Sequence, residues 1–386
     1  MLSALRVNLR TNLFIFLCVL LFGAVACPVF AASVPCPDDA FADTRLAGDT
    51  LKKMALLPES EISLSGTLFL VSARASRELE CRDADGGLVE KELDRIARRV
   101  IVHAGDLKDP ARTVSALNRV LFYEDGFVYD PNAGNPENYL LDRVLARKHG
   151  NCLGLTSVYL ALAEKLKIPL GGVYVPGHCF VRYEGSGNRI NIETGEGGGE
   201  RKNAWYSKKY RLKDGSPYLR TLGRREMIGV YLKSLGAAYS RKGRDEEALR
   251  IYREAANFFP TLPDAYFNAG VSFQKMGKME DAVAQYRRAL ALDPDMAPAR
   301  GNLGSALCGC GKLEDGIVEF RKALDLNPKN ASVRSGLAKA YFARGDYKQA
   351  AEHCDRAIEQ GCRFEPSMMD VLNRYRKPRA EISSGP

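Results

Sequence analysis

The chain is 386 residues long and has no Gly-Lys-Ser/Thr run to cradle a phosphate. It also has no basic tract with interleaved aromatics. The Gly-rich stretch Gly195 to Gly199 therefore reads as a loop, and the formal charge of +9, spread among alternating signs, does not point to nucleic acid. Cys308-Gly309-Cys310 lacks the second ligand pair that structural zinc sites usually show. No metal or organic cofactor is required.

The beginning of the chain reads as a targeting segment, residues 1–32. Arg6 and Arg10 precede an apolar core from Leu13 to Ala26, and Val29-Phe30-Ala31 offers small residues for cleavage. Ala24-Val25-Ala26-Cys27 resembles a lipobox, and the uncharged run Leu13 to Ala32 is just long enough to span a bilayer if uncut. All three fates place the remainder outside the cytoplasm, periplasmic or envelope-associated, with membrane or lipid anchoring as one route. Of ten cysteines, eight follow this segment. An oxidising compartment permits Cys36–Cys81 or Cys354–Cys362 disulfides, without fixing connectivity.

The most informative stretch runs from Lys148 to Gly195. Cys152 opens a helical pattern with Leu155, Val158, Tyr159, Leu162, Ala163 and Leu166 on one face. A thiol in a first helical turn sits among unpaired N–H groups and the positive end of the dipole, both of which favour thiolate. After Ile168-Pro169 the residues Val173, Val175, Phe180 and Tyr183 read as a half-buried strand interrupted by Pro176-Gly177, just before His178. A turn at Gly185 to Asn188 leads to a second strand, Arg189 to Glu193, which would bring Glu193 beside His178. The order is nucleophile, base, orienter. His149 is a rival base in the preceding loop. Cys179 should face the opposite side of the sheet as packing, and Asn151 is read either as a substrate-orienting group or as a turn residue.

The motifs R-K-H-G-N-C-L-G-L-T, P-G-H-C-F-V-R-Y and N-I-E-T resemble the transglutaminase-like core of the bacterial SirB type, within the papain-like superfamily of cysteine peptidases and transglutaminases. The resemblance covers roughly Asp94 to Gly199. It implies a papain/transglutaminase-like α+β domain, with Cys152, His178 and Glu193 as catalytic residues and peptide or amide substrates. Around it, Glu90 to Ala104 and Pro110 to Phe122 read as helices, the former burying Leu93, Ile96, Ala97, Val100 and Ile101, while Thr67 to Val71 looks like a strand. The domain is expected over residues 33–222.

The last third repeats. Gly243, Gly277, Gly311 and Gly345 are spaced 34 residues apart, as are Ala255, Ala289, Ala323 and Ala357. Gly236, Gly270 and Gly304, then Tyr252, Tyr286 and Phe320, keep the same register, with Ala338 and Cys354 in the fourth unit. This resembles the tetratricopeptide pattern, four units over residues 229–365 stacked into an all-α superhelix. Residues 366–386 follow as a cap and tail. Asn268 and Asn302, in equivalent positions, are candidate substrate-binding side chains for a peptide or protein partner in the groove.

Two readings follow. In one, the protein is an exported thiol enzyme that hydrolyses or transfers acyl groups at peptide or amide bonds, with the repeats recruiting a protein. In the other, the core is inert and the repeats form an envelope scaffold.

Overall fold

A computed structural model describes residues 50–376 apart from 80–83, 133 and 186. The targeting segment, Cys36 and Cys81 lie outside the described residues. No helix among the described residues is long and apolar enough to cross a membrane.

Helix α1 spans Leu64–Glu78, where a strand was expected around Thr67 to Val71. Ser63 caps its start by accepting from the Gly66 N–H, and Leu64, Leu68, Val71 and Ala75 are buried at helical spacing. The local run of β-formers is overruled by that cap and by tertiary burial. Helix α2, Gly86–Ala104, buries Leu93, Ile96, Ala97 and Val100, whereas Ile101 is exposed rather than buried. Helix α3, Pro110–Asn118, starts with Pro at its first position and continues as a wider turn to Glu124.

Strand β1 (Val128–Tyr129) pairs in parallel with β2 (His149–Gly150), on either side of helix α4 (Leu141–Arg147). Helix α5, Cys152–Leu166, is buried almost all round, from Leu153 to Ala163. It packs on an antiparallel sheet ordered β6-β5-β4-β3-β7. The strands are β3 (Leu170–Val175), β4 (His178–Gly185), β5 (Asn188–Glu193), β6 (Gly199–Glu200) and β7 (Thr221–Leu222).

Pro176-Gly177 does not interrupt one strand but turns the chain between two. Val175 pairs with His178, and Gly177 takes a φ of 77°, which suits a Pro-Gly type II turn. Helix α6, Asn203–Tyr210, covers the far face of the sheet, where Tyr206 packs with Val173 and Phe180. Its start is fixed by the buried Arg182, which donates to Asn191 Oδ1 at 2.6 Å and to Asn203 Oδ1 at 2.9 Å.

Eight helices follow in antiparallel pairs: α7 (Arg224–Arg241) with α8 (Asp245–Phe258), α9 (Pro263–Lys275) with α10 (Met279–Leu292), α11 (Ala297–Gly309) with α12 (Leu313–Leu326), and α13 (Ala331–Arg344) with α14 (Tyr347–Glu359). Helix α15, Pro366–Leu372, closes the end by burying Met368 and Leu372. A Cβ on Gly236, Gly270 or Gly304 would lie 2.6, 2.6 or 2.9 Å from the ring of Tyr252, Tyr286 or Phe320, so each glycine makes room for its aromatic partner. Cys354 Sγ lies 3.6 Å from Met369 Sδ and Cys362 Sγ faces the Ala331 carbonyl, so the two cysteines do not form the disulfide considered above.

The first repeat is welded to the core. Arg74 on α1 donates two hydrogen bonds to Glu254 on α8, at 2.9 and 2.7 Å, both side chains being buried. Tyr239 of α7 donates to Glu78, and Arg250 pairs with the same carboxylate.

Candidate active site

Asn151 forms the N-cap of α5. Its Oδ1 accepts from the N–H groups of Leu153 at 3.0 Å and Gly154 at 2.9 Å, and its amide hydrogen-bonds the Tyr139 hydroxyl. The Leu155 N–H is taken by the Asn151 carbonyl. Among the described residues, the Cys152 N–H is the first-turn donor left without a partner. The nucleophile candidate therefore carries its own free backbone donor. Close approach at the base of this turn requires glycine: a Cβ on Gly154 would lie 2.1 Å from the Asn138 carbonyl oxygen.

His178, the first residue of β4, points its Nε2 at both oxygens of Glu193, 2.8 and 3.0 Å away. Its ring also lies close enough to the Cys152 side chain to be influenced by it. With Nε2 taken by the carboxylate, Nδ1 is the nitrogen left for the thiol. Burial works against a charged ring, but the interactions with Cys152 and Glu193 outweigh it and push His178 up to about 9. An imidazolium is thus held between sulfur and carboxylate through neutral pH.

Glu193 is held in turn. Its Oε2 accepts from the buried Tyr206 hydroxyl at 3.0 Å. The next residue, Thr194, donates from Oγ1 to the Cys152 carbonyl at 3.2 Å and sits 3.3 Å from Thr156 Oγ1. Tyr210 lies parallel to the His178 ring, with centroids 5.7 Å apart and planes within 7°. Burial, reinforced by the neighbouring Glu193 carboxylate, pushes the Tyr210 phenol up to about 12, and burial also raises that of Tyr129. Both remain neutral, aromatic walls at neutral pH.

The structure thus brings together Cys152, His178 and Glu193. His149 lies apart: it is exposed, and its Nδ1 is 2.7 Å from the Arg147 carbonyl. Cys179 is 2% exposed and faces Thr156 of α5, with burial pushing its thiol well up. Asn302 hydrogen-bonds the Tyr286 hydroxyl, and Asn268 is half-buried on α9. Tyr129, Thr194, Tyr206 and Tyr210 were not found from the sequence. The Tyr206/Tyr210 spacing of one helical turn after the Gly-rich loop was the available signal.

Residues 88–205 match the model of the Transglutaminase-like superfamily. Residues 236–277, 263–296 and 311–361 match tetratricopeptide repeat models. The chain carries a transglutaminase-like domain followed by tetratricopeptide repeats. A UPF0162 protein of Xylella fastidiosa is 27% identical over 173 residues, covering 41% of this chain and 60% of that protein. One from Vibrio cholerae is 30% identical over 179 residues, 45% of this chain and 66% of that protein. The chain thus spans less than two thirds of the length of these relatives. Among solved structures, MamA from Desulfovibrio magneticus is 26% identical, covering 34% of this chain and 75% of that one, with a TM-score of 0.33.

Proposed function

We propose that the protein is an exported, transglutaminase-like thiol enzyme acting on peptide or amide bonds, by hydrolysis or acyl transfer, with its repeats engaging a protein partner. One observation carries the reading: His178 is hydrogen-bonded to Glu193 through Nε2 and lies beside Cys152 at the start of α5. That arrangement is what a thiolate–imidazolium nucleophile requires.

The chemistry follows from the geometry. The Cys152 sulfur, having passed its proton to His178, attacks the amide carbonyl carbon to form a C–S bond. The unpaired Cys152 N–H is the group that would receive the developing oxyanion. Collapse expels the amine, which takes the proton from His178, and leaves a thioester. Water or a second amine, deprotonated by neutral His178, then attacks the thioester and the sulfur leaves. Glu193, fixed by Tyr206, holds the ring in orientation throughout. Export is supported by the charged and apolar pattern of residues 1–32.

The test is iodoacetamide labelling at pH 6.5, quantified cysteine by cysteine by mass spectrometry. Cys152 should label at least about tenfold faster than in His178→Ala, and faster than the half-buried Cys308 and Cys310. Equal rates in the two proteins, or a Cys152→Ser variant with full biological activity, would refute the enzyme reading.

A further inference from the structure

A groove of about 520 Å³ opens beside the candidate site and continues onto the inner helices of the repeats. At one end it is lined by Pro176, two residues before His178, and by Tyr210, which stacks on the His178 ring. At the other it is lined by Asp264 on α9 and by Asp293, just after α10. The segment 211–218 forms the wall between them. Its Lys213 is tied to Asp295 at 2.7 Å.

The groove has a sign of its own. Asp214, Asp264, Asp293 and Asp295 line it, against Arg211 and Lys213, in a chain whose formal charge is +9. The Tyr218 hydroxyl lies 3.1 Å from Asp293 Oδ2 and 3.4 Å from Asp264 Oδ2. A hydroxyl has one hydrogen, so it satisfies only one of the two carboxylates. Behind Asp264 stands Lys233, whose Nζ reaches the Tyr174 hydroxyl at 3.2 Å, a hydroxyl that lies within the influence of Asp264. Burial pushes the Lys233 ammonium down, which weakens it as a counter-charge.

We infer that this groove seats an extended polypeptide bearing lysine or arginine side chains, the basic group lying at Asp264 and Asp293 while the neighbouring backbone runs past Tyr210 to Cys152. The inference rests on the thiol-enzyme reading for the last step only, since binding itself does not need Cys152. The repeats are then a wall of the substrate site. A volume of this size holds several residues of extended chain.

The test uses the full chain and a fluorescein-labelled peptide of alternating Gly and Lys, with its lysine-acetylated and its Gly-Glu counterparts, followed by anisotropy at low salt. The Gly-Lys peptide should bind roughly tenfold tighter than the acetylated one, and the paired substitution Asp264→Asn with Asp293→Asn should remove most of that difference. Asp293→Lys should shift preference toward Gly-Glu, a gain that misfolding cannot produce. A benzophenone on the Gly-Lys peptide should cross-link within residues 211–218 or α9. Equal binding of the Gly-Lys and acetylated peptides would overturn the inference. So would wild-type binding by a paired variant of unchanged melting temperature, or a dimer in sedimentation that the paired variant abolishes, which would make a second copy the occupant. An inert Cys152 with intact Gly-Lys binding would count against the enzyme reading and leave the groove assignment standing.

Discussion

Arg74 and Glu254 stand 180 residues apart in the chain and meet in a two-pronged ion pair closed off from water. This pair joins α1 of the transglutaminase-like domain to α8 of the first repeat. Its buried location means that each charge depends on the other.

The first prediction concerns that dependence. Arg74→Met leaves the buried Glu254 carboxylate with only the more distant Arg250, 3.9 Å away, and should cost up to about 3–5 kcal/mol, read from urea denaturation. Adding Glu254→Leu should recover much of the loss, because apolar side chains fill the same space without a stranded charge. Equal destabilisation in the single and double variants would show that packing, not the pair, holds the junction.

A second prediction is a pH dependence with a definite sign. His178 is raised from its ordinary 6.5 to about 9, so the protonated ring is the form the fold favours. Its contribution should be fully present below about pH 6.5 and should fade as pH rises through about 9. The loss should be at most about 3 kcal/mol. Melting temperatures of wild type and His178→Gln should therefore converge between pH 6.5 and 9.5, and parallel curves would contradict the assignment.

Tyr206→Phe removes one hydroxyl and little volume. Glu193 Oε2 loses a donor in a buried setting, which should cost about 1–2 kcal/mol of stability. Because the imidazole is then held less firmly, Cys152 alkylation at pH 6.5 should slow by several-fold with the cysteine environment otherwise intact. Unchanged labelling alongside lower stability would give Tyr206 a purely structural role.

Gly154→Ala tests the entry to α5. The added methyl must displace the Asn138 carbonyl, 2.1 Å from its ideal position, and should destabilise by about 1–3 kcal/mol. Since Asn151 is anchored to the same carbonyl through its N–H, the cap should shift and Cys152 labelling should fall as well. Gly177→Ala, at a φ of 77° with open space around it, should instead show only the backbone penalty of roughly 1 kcal/mol.

Features written in local patterns were legible in the sequence. The repeats announced themselves because three of the four units set a glycine against an aromatic at the same place, 34 residues apart. The proximity of His178 and Glu193 followed from two short strands and the turn between them. Thr67 to Val71 was misread because β-branched and aromatic residues there satisfy a helix only once Ser63 and the packed core are known. The Pro176-Gly177 pair was read as a break because sequence alone did not show that β3 folds back onto β4. Tyr206, Tyr210 and the Arg74–Glu254 pair depend on contacts across loops and domains, for which no periodicity exists.

Thr194 carries one last consequence. It directly follows Glu193 and holds the carbonyl of Cys152, so the carboxylate and the sulfur-bearing residue are fastened to a common strap. A force that drags β5 displaces the carboxylate and the Cys152 backbone together, and the ladder between β4 and β5 with the Glu193–His178 hydrogen bonds carries His178 along. The three side chains are therefore displaced as a unit rather than one by one.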